Sequence, residues 1–195
     1  MRQAASSIGN PNLRASRRLA DSLVITWLVW AAVAYAETLE GRVVSIADGD
    51  TITVLDDKKH QHKIRLAAID APGKAQPFGA RAKQNLSDLV YDKTVAVDYK
   101  KYDRYGRIIG KVMVAPANAC PAVRHDCPKT LDTGLAQITV GLAWHHNQYE
   151  NEQTEEDRER YAFAEKEARA KRVGLWRDPH PVSPWQWRTK KDSRK

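Results

Sequence analysis

Three aspartates and two arginines are spaced so that strand ends could gather them. Asp48 and Asp50 bracket a glycine in "DGDT" (48–51), and Asp70 ends the apolar run "IRLAAIDAPG" (64–73). Arg65 interrupts that run, and Arg107 closes "YDRYGR" (102–107). Ile64, Leu66 and Ala68 alternate with Arg65, Ala67 and Ile69, the period-two pattern of a strand. A buried, unpaired guanidinium is strongly unfavourable, so Arg65 must meet water, a carboxylate or an anionic ligand. Two carboxylates at adjacent strand ends make a hard-oxygen site for Ca²⁺ or Mg²⁺. Two guanidinium forks suit phosphate oxygens, and Tyr105 beside Arg104 offers an aromatic face to a base or sugar. Each piece also has a plainer reading. "DGDT" makes a good hairpin turn whose glycine can take positive φ, and Asp103 and Gly106 fit positions i and i+3 of a type I turn.

The elements that must position these residues are legible as alternating and helical patterns. "GRVVSIA" (41–47), "TITVLD" (51–56) and "HKIRLAAI" (62–69) are β-rich runs separated by turn residues. Ala82, Leu86, Leu89 and Val90 recur at helical spacing between Phe78 and Tyr91. "TVAVDYK" (94–100) and "RIIGKVMV" (107–114) are two further strands, and "TGLAQITVGLAW" (133–144) reads as a second helix. A third helix spans 154–172, with Thr154 and Asp157 as an N-cap pair and Gly174 as its stop. This order predicts an α+β fold: a five-stranded barrel of the OB type with about three helices. The tail (179–195) is proline-punctuated and basic. Trp185 and Trp187 are expected to pack it onto the domain, and its last eight residues are expected to be disordered.

Residues 1–36 read as a secretory signal, with Arg14, Arg17 and Arg18 ahead of an apolar stretch (Leu23 to Ala34) and "AYA" at its end. Export and cleavage after Ala36 would leave 159 residues in one domain (37–178) plus the tail, with no membrane span. That portion carries 28 Lys/Arg and 23 Asp/Glu, a net charge of +5, which suits a polyanionic partner without requiring one. Cys120 and Cys127 are the only cysteines and suit a disulfide in an oxidising compartment. A zinc site built on them with His125 is one ligand short of a tetrahedral set. His145 and His146 are read as capping or surface residues at a helix end. His60 and His62 point the same way from one strand, compatible with incidental metal binding.

Taken together, "DGDT", "IRLAAIDAP" (64–72), "DRYGR" (103–107), "GLAW" (141–144) and "GLW" (174–176) resemble the staphylococcal nuclease (thermonuclease) family, over about residues 40 to 176. The resemblance implies a Ca²⁺-dependent phosphodiesterase, with Mg²⁺ as the alternative ion. By position, Asp50, Asp70 and the Ala71 carbonyl would hold the metal, with Asp48 nearby through water. Arg65 and Arg107 would grip the reacting phosphate, and Arg104 and Tyr105 would contact the nucleotide. The chemistry implied is in-line attack of water at phosphorus with departure of the 5′-oxygen.

One position departs from the family pattern. Its D-[AT]-P-E motif ends in a glutamate regarded as the general base, and here that position is Gly73. No acid lies between Asp70 and Asp88 to replace it by a one-residue slip. General-base assistance contributes about 10²- to 10⁴-fold. The expectation is therefore a slow exported nuclease, monomeric, acting on DNA and/or RNA with single strands favoured, with Asp48 or hydroxide as substitute base. The alternative is an OB module that binds nucleic acid without cleaving it.

Overall fold

Alternating burial decides the barrel. The computed structural model describes residues 37–117, 127–146, 149 and 152–193. The leader reading (1–36) and Cys120 lie outside them. Strands β1 (Glu37–Ile46), β2 (Thr51–Leu55) and β3 (Gln61–Leu66) form an antiparallel meander. A two-residue strand β4 (Ile69–Asp70) and helix α1 (Gly79–Val90) follow, then β5 (Thr94–Tyr102) and β6 (Ile108–Val114). β5 pairs antiparallel with β1 and with β6, and a parallel β3–β6 pairing closes five strands into a mixed barrel. This is the α+β barrel expected from the strand order. Along β6 every second residue is buried, at Ile108, Gly110, Val112 and Val114. With Val43, Ile52, Val54, Ile64, Leu66, Val95 and Val97 these fill the interior, capped by Ala82, Leu86 and Val90 of α1.

The remaining elements are β7 (Leu131–Asp132), α2 (Thr133–Thr139), β8 (Trp144–His145), α3 (Glu155–Ala170) and α4 (Pro184–Asp192), with a 3₁₀ turn at Gly174–Arg177 before α4. Among the described residues four helices therefore stand where three were expected. The extra one, α4, lies in the tail whose end was expected to be disordered. It is seated by Trp185, whose ring packs edge-on against Trp144 at 5.6 Å. Three further expectations need correction. The run 62–69 is not one strand, because Ala68 takes a left-handed conformation (φ 56°) and breaks it. That conformation costs an alanine about 1–2 kcal/mol. It is held by Ala67 N–H donating to Gly110 O at 2.9 Å and by Ala68 O accepting from His146 N–H at 2.8 Å. The second helix stops at Thr139, five residues early, where Gly141 (φ 68°) turns the chain back toward β8. His145 and His146 accordingly sit on and just after a strand, and both are buried.

Gly49 is needed for closeness rather than for an unusual dihedral. A Cβ there would come within 2.5 Å of the Ala82 Cβ and 2.8 Å of the Ala71 Cβ, so the 48–50 turn can touch α1 only as glycine. Gln137 of α2 then locks the turn in place. Fully buried, it donates to Gly49 O at 2.6 Å and to Ala82 O at 2.9 Å, and its carbonyl accepts from Asn85.

Replacing Gln137 by leucine keeps the volume but strands those buried polar partners. We expect a loss of about 2–4 kcal/mol in unfolding free energy, read by denaturant titration. The melting temperature should fall by roughly 5–15 °C.

Candidate active site

Period two places Arg65 before any partner is considered. Ile64 and Leu66 point into the barrel, so Arg65 points out, and its parallel-register neighbour on β6 is Ile109. Arg107 lies two residues before Ile109 and shares that outer face. Thr51 is Arg65's antiparallel partner on β2, which puts the preceding Asp50 beside it. The left-handed Ala68 reverses the chain and β4 pairs with β8, Asp70 opposite Trp144, bringing Asp70 to the same place.

The result is a buried carboxylate pair bridged by one guanidinium. Arg65 NH1 stands 3.0 Å from Asp50 Oδ2, and Arg65 NH2 stands 3.5 Å from Asp70 Oδ1 and 3.2 Å from Ile69 O. Asp50 also accepts from Ala71 N–H at 2.9 Å and from the Thr51 hydroxyl at 2.8 Å. Burial disfavours the charge on Asp50, but Arg65 and the Ala71 amide outweigh it and hold the carboxyl below the usual range. Burial likewise works against Arg65, and Asp50 and Asp70 overcome it. Asp48 behaves differently. Its Oδ1 accepts from Asp50 N–H at 3.2 Å, yet burial and the neighbouring Asp50 charge push its pKa up to about 6.

Arg65 also lines a cavity of about 410 Å³ together with Arg104, Tyr105, Arg107, Tyr102 and Tyr149, while Asp50 and Asp70, which it contacts, are not in that lining. Tyr105 is 68% exposed and flanked by two guanidiniums, Arg104 at 4.8 Å and Arg107 at 5.5 Å from the ring centroid. Arg107 is held by Asp103, Nε to Oδ2 at 2.6 Å, and Asp103 Oδ1 accepts the backbone N–H groups of Tyr105 and Arg107. The two arginines expected to grip a phosphate both line this cavity, Arg65 paired to the carboxylates and Arg107 to Asp103. The second fork on Asp70 comes from α4. Arg188 NH1 lies 3.2 Å from Asp70 Oδ1 and its NH2 2.5 Å from Oδ2. Nothing in the local motifs marked Arg188, although it stands one helical turn after Trp185, whose packing was legible. His146, buried between the Tyr149 ring at 4.5 Å and the Trp185 ring at 4.6 Å, brings Nε2 to 4.0 Å from Asp70. Burial lowers its pKa, against the pull of Asp70.

Gly73, in the loop after Asp70, has open space around it. A Cβ added there would meet nothing within 4 Å, and its φ lies outside the left-handed region. Among the described residues, no three acidic, imidazole or thiol side chains converge closely enough to hold a metal ion by themselves. Two buried aspartates remain a hard-oxygen pair, which fits an ion that draws its other ligands from backbone, water and phosphate, as Mg²⁺ commonly does and Ca²⁺ tolerates. His60 and His62 are occupied elsewhere, both paired to Asp56, at 3.5 Å and 2.9 Å. Cys127 is disulfide-bonded, which removes it as a thiolate ligand for zinc.

Comparison with known proteins agrees with the geometry. Residues 63–178 match the family model described as staphylococcal nuclease homologue. The chain is 44% identical over 178 residues to Protein ParB of Escherichia coli, covering 91% of this chain and 93% of that one. It is 40% identical over 178 residues to a micrococcal nuclease of Shigella flexneri, covering 90% and 93%. Against an uncharacterized endonuclease of Haemophilus influenzae the identity is 38% over 170 residues, covering 87% and 84%.

The raised pKa of Asp48 has a pH signature in metal-free protein. The folded state binds this proton more tightly than the unfolded chain, whose value is 3.8, so stability is greatest while Asp48 is neutral. That contribution declines as pH rises from the unfolded value through about 6 and is level above it. Asp48→Asn should therefore gain on the wild type between those limits and keep the gain at pH 7.5. Unfolding free energies measured in EDTA across this range check the slope, and parallel curves would contradict it.

Proposed function

Because the chain belongs to the staphylococcal nuclease family, we propose that it is an exported, divalent-metal-dependent nuclease whose turnover is slowed by glycine at position 73. The observation that carries this reading is the shared guanidinium of Arg65. It joins two buried carboxylates and lines a nucleotide-sized cavity. A divalent cation held by Asp50, Asp70 and the Ala71 carbonyl would acidify a water and polarise a phosphoryl oxygen.

The chain's own residues supply the rest. Arg65 and Arg107 present N–H donors to the non-bridging phosphate oxygens and neutralise the charge that builds on them. Tyr105, exposed and lining the cavity, stacks an unpaired base, which supports a preference for single-stranded DNA or RNA. Arg104, one residue along, engages the neighbouring phosphate. Asp48, whose Oδ1 accepts from the Asp50 N–H, serves as the substitute proton acceptor. The signal-like leader and the disulfide-bonded Cys127 support export, and no helix among the described residues is long and apolar enough to cross a membrane. A binding-only OB module is the second reading, and the missing base at Gly73 is what favours it.

Digestion of single-stranded DNA and RNA distinguishes the two. We expect slow cleavage with Ca²⁺ or Mg²⁺, none in EDTA, and a gain of about 10²-fold or more from Gly73→Glu, which the open space around Gly73 accommodates. Binding without any metal-dependent product would establish the module. Fast cleavage unchanged by the glutamate would show that the absent base does not limit the enzyme.

A further inference from the structure

Asp70 is crowded by basic side chains, two of them guanidiniums, for a residue expected to bind a metal. Its two oxygens face Arg188 NH1 at 3.2 Å and NH2 at 2.5 Å, Arg65 NH2 at 3.5 Å and His146 Nε2 at 4.0 Å. Only Arg188 reaches both oxygens at hydrogen-bond distance, and an incoming divalent cation is repelled by guanidiniums beside it, so the ion loads most easily if one of these groups moves away. Exposure decides which. Arg65 is 16% exposed and tied to Asp50 and the Ile69 carbonyl, and His146 is 7% exposed between two aromatic rings. Arg188 is 57% exposed, against 2% for the carboxylate it covers.

Its helix does not depend on the arginine for its seat. Trp185 packs on Trp144 and His146, and Gln76 Nε2 donates to Val182 O at 2.7 Å just before the helix. Arg188 can leave by side-chain rotation while α4 stays docked. Resting on the reading of Asp50 and Asp70 as cation ligands, we propose that Arg188 is an exchangeable counter-ion of the active site. Its guanidinium and a divalent cation are alternative partners of Asp70, so α4 sets how readily the site loads. Arg188 is thus a positioning residue, acting through Asp70. It neutralises a buried carboxylate that would otherwise stand under-compensated in metal-free protein, and it lowers the site's affinity for the ion.

The test is calorimetric titration of Ca²⁺ into the full chain, without nucleic acid, for the wild type, Arg188→Gln, Arg188→Lys and Lys190→Gln. Lys190 lies on the same helix and controls for charge alone. Arg188→Gln should bind Ca²⁺ about tenfold more tightly and Arg188→Lys to an intermediate degree. Lys190→Gln should match the wild type, and the gain should persist in 0.5 M salt, where long-range fields are screened. Melting temperatures give a second readout. Arg188→Gln should melt below the wild type in EDTA, and saturating Ca²⁺ should close or reverse the gap, whereas a purely structural arginine would leave it in both. Affinities within twofold of the wild type, a weaker variant, or equal gains from Arg188→Gln and Lys190→Gln would each overturn the inference alone. If none of the proteins binds a divalent ion, the metal-site reading itself falls, and the inference with it. Should Arg188→Gln fail to fold, Arg188→Lys against Lys190→Gln decides in the same way.

Discussion

A single guanidinium in a partly dry place constrains most of this protein. Arg65 lies on the outer face of the barrel, yet it is largely covered, and it carries a charge that burial opposes. Asp50 and Asp70 make that charge tolerable, and Arg65 in turn makes theirs tolerable. Neither side of this arrangement is stable without the other, because removing one member leaves an uncompensated buried charge. Every nearby oddity serves to bring the three together. The turn before β2 approaches α1 closely enough to require Gly49, Gln137 pins that turn, and Ala68 accepts a strained dihedral so that Asp70 faces back.

The barrel supplies the rigidity for this. Closing β3 against β6 in parallel register ties Arg65 to the strand that follows Arg107, so both arginines inherit one face from one pairing. A one-residue slip would turn Arg65 into an apolar interior filled by Ile64, Leu66 and Ile108. The register is therefore enforced by a residue to which the proposed chemistry assigns a role. The tail contributes in a different manner. It brings an arginine from 118 positions away onto a carboxylate whose other neighbours are settled by the barrel.

Much of this was legible in the sequence, for definite reasons. Alternation exposed the five long strands, the cost of burying a lone guanidinium told that Arg65 needs water, a carboxylate or an anion, and the spacing of "DGDT", "IRLAAIDAP" and "DRYGR" pointed to the aspartates, arginines and tyrosine that the fold collects at the cavity and beside Arg65. What was missed lacks a periodic or compositional signal. Ala68 carries no turn preference, so the break between β3 and β4 was invisible. β8 is two residues long, too short to show a pattern, and His145 in it and His146 after it read as polar ends when they are buried. Gly49 was understood as a source of torsional freedom, whereas it provides room. Arg188 was hidden by distance along the chain, since its partner is determined only when a tryptophan-anchored helix folds back over the barrel.

That remoteness bears on how the molecule is made. The barrel strands are complete by Val114, 74 residues before Arg188, so a barrel that forms first has Asp70 short of a positive neighbour. Domains tend to fold as they emerge, amino end first. The last helix would then dock onto a nearly finished body, neutralising its interior as a closing step.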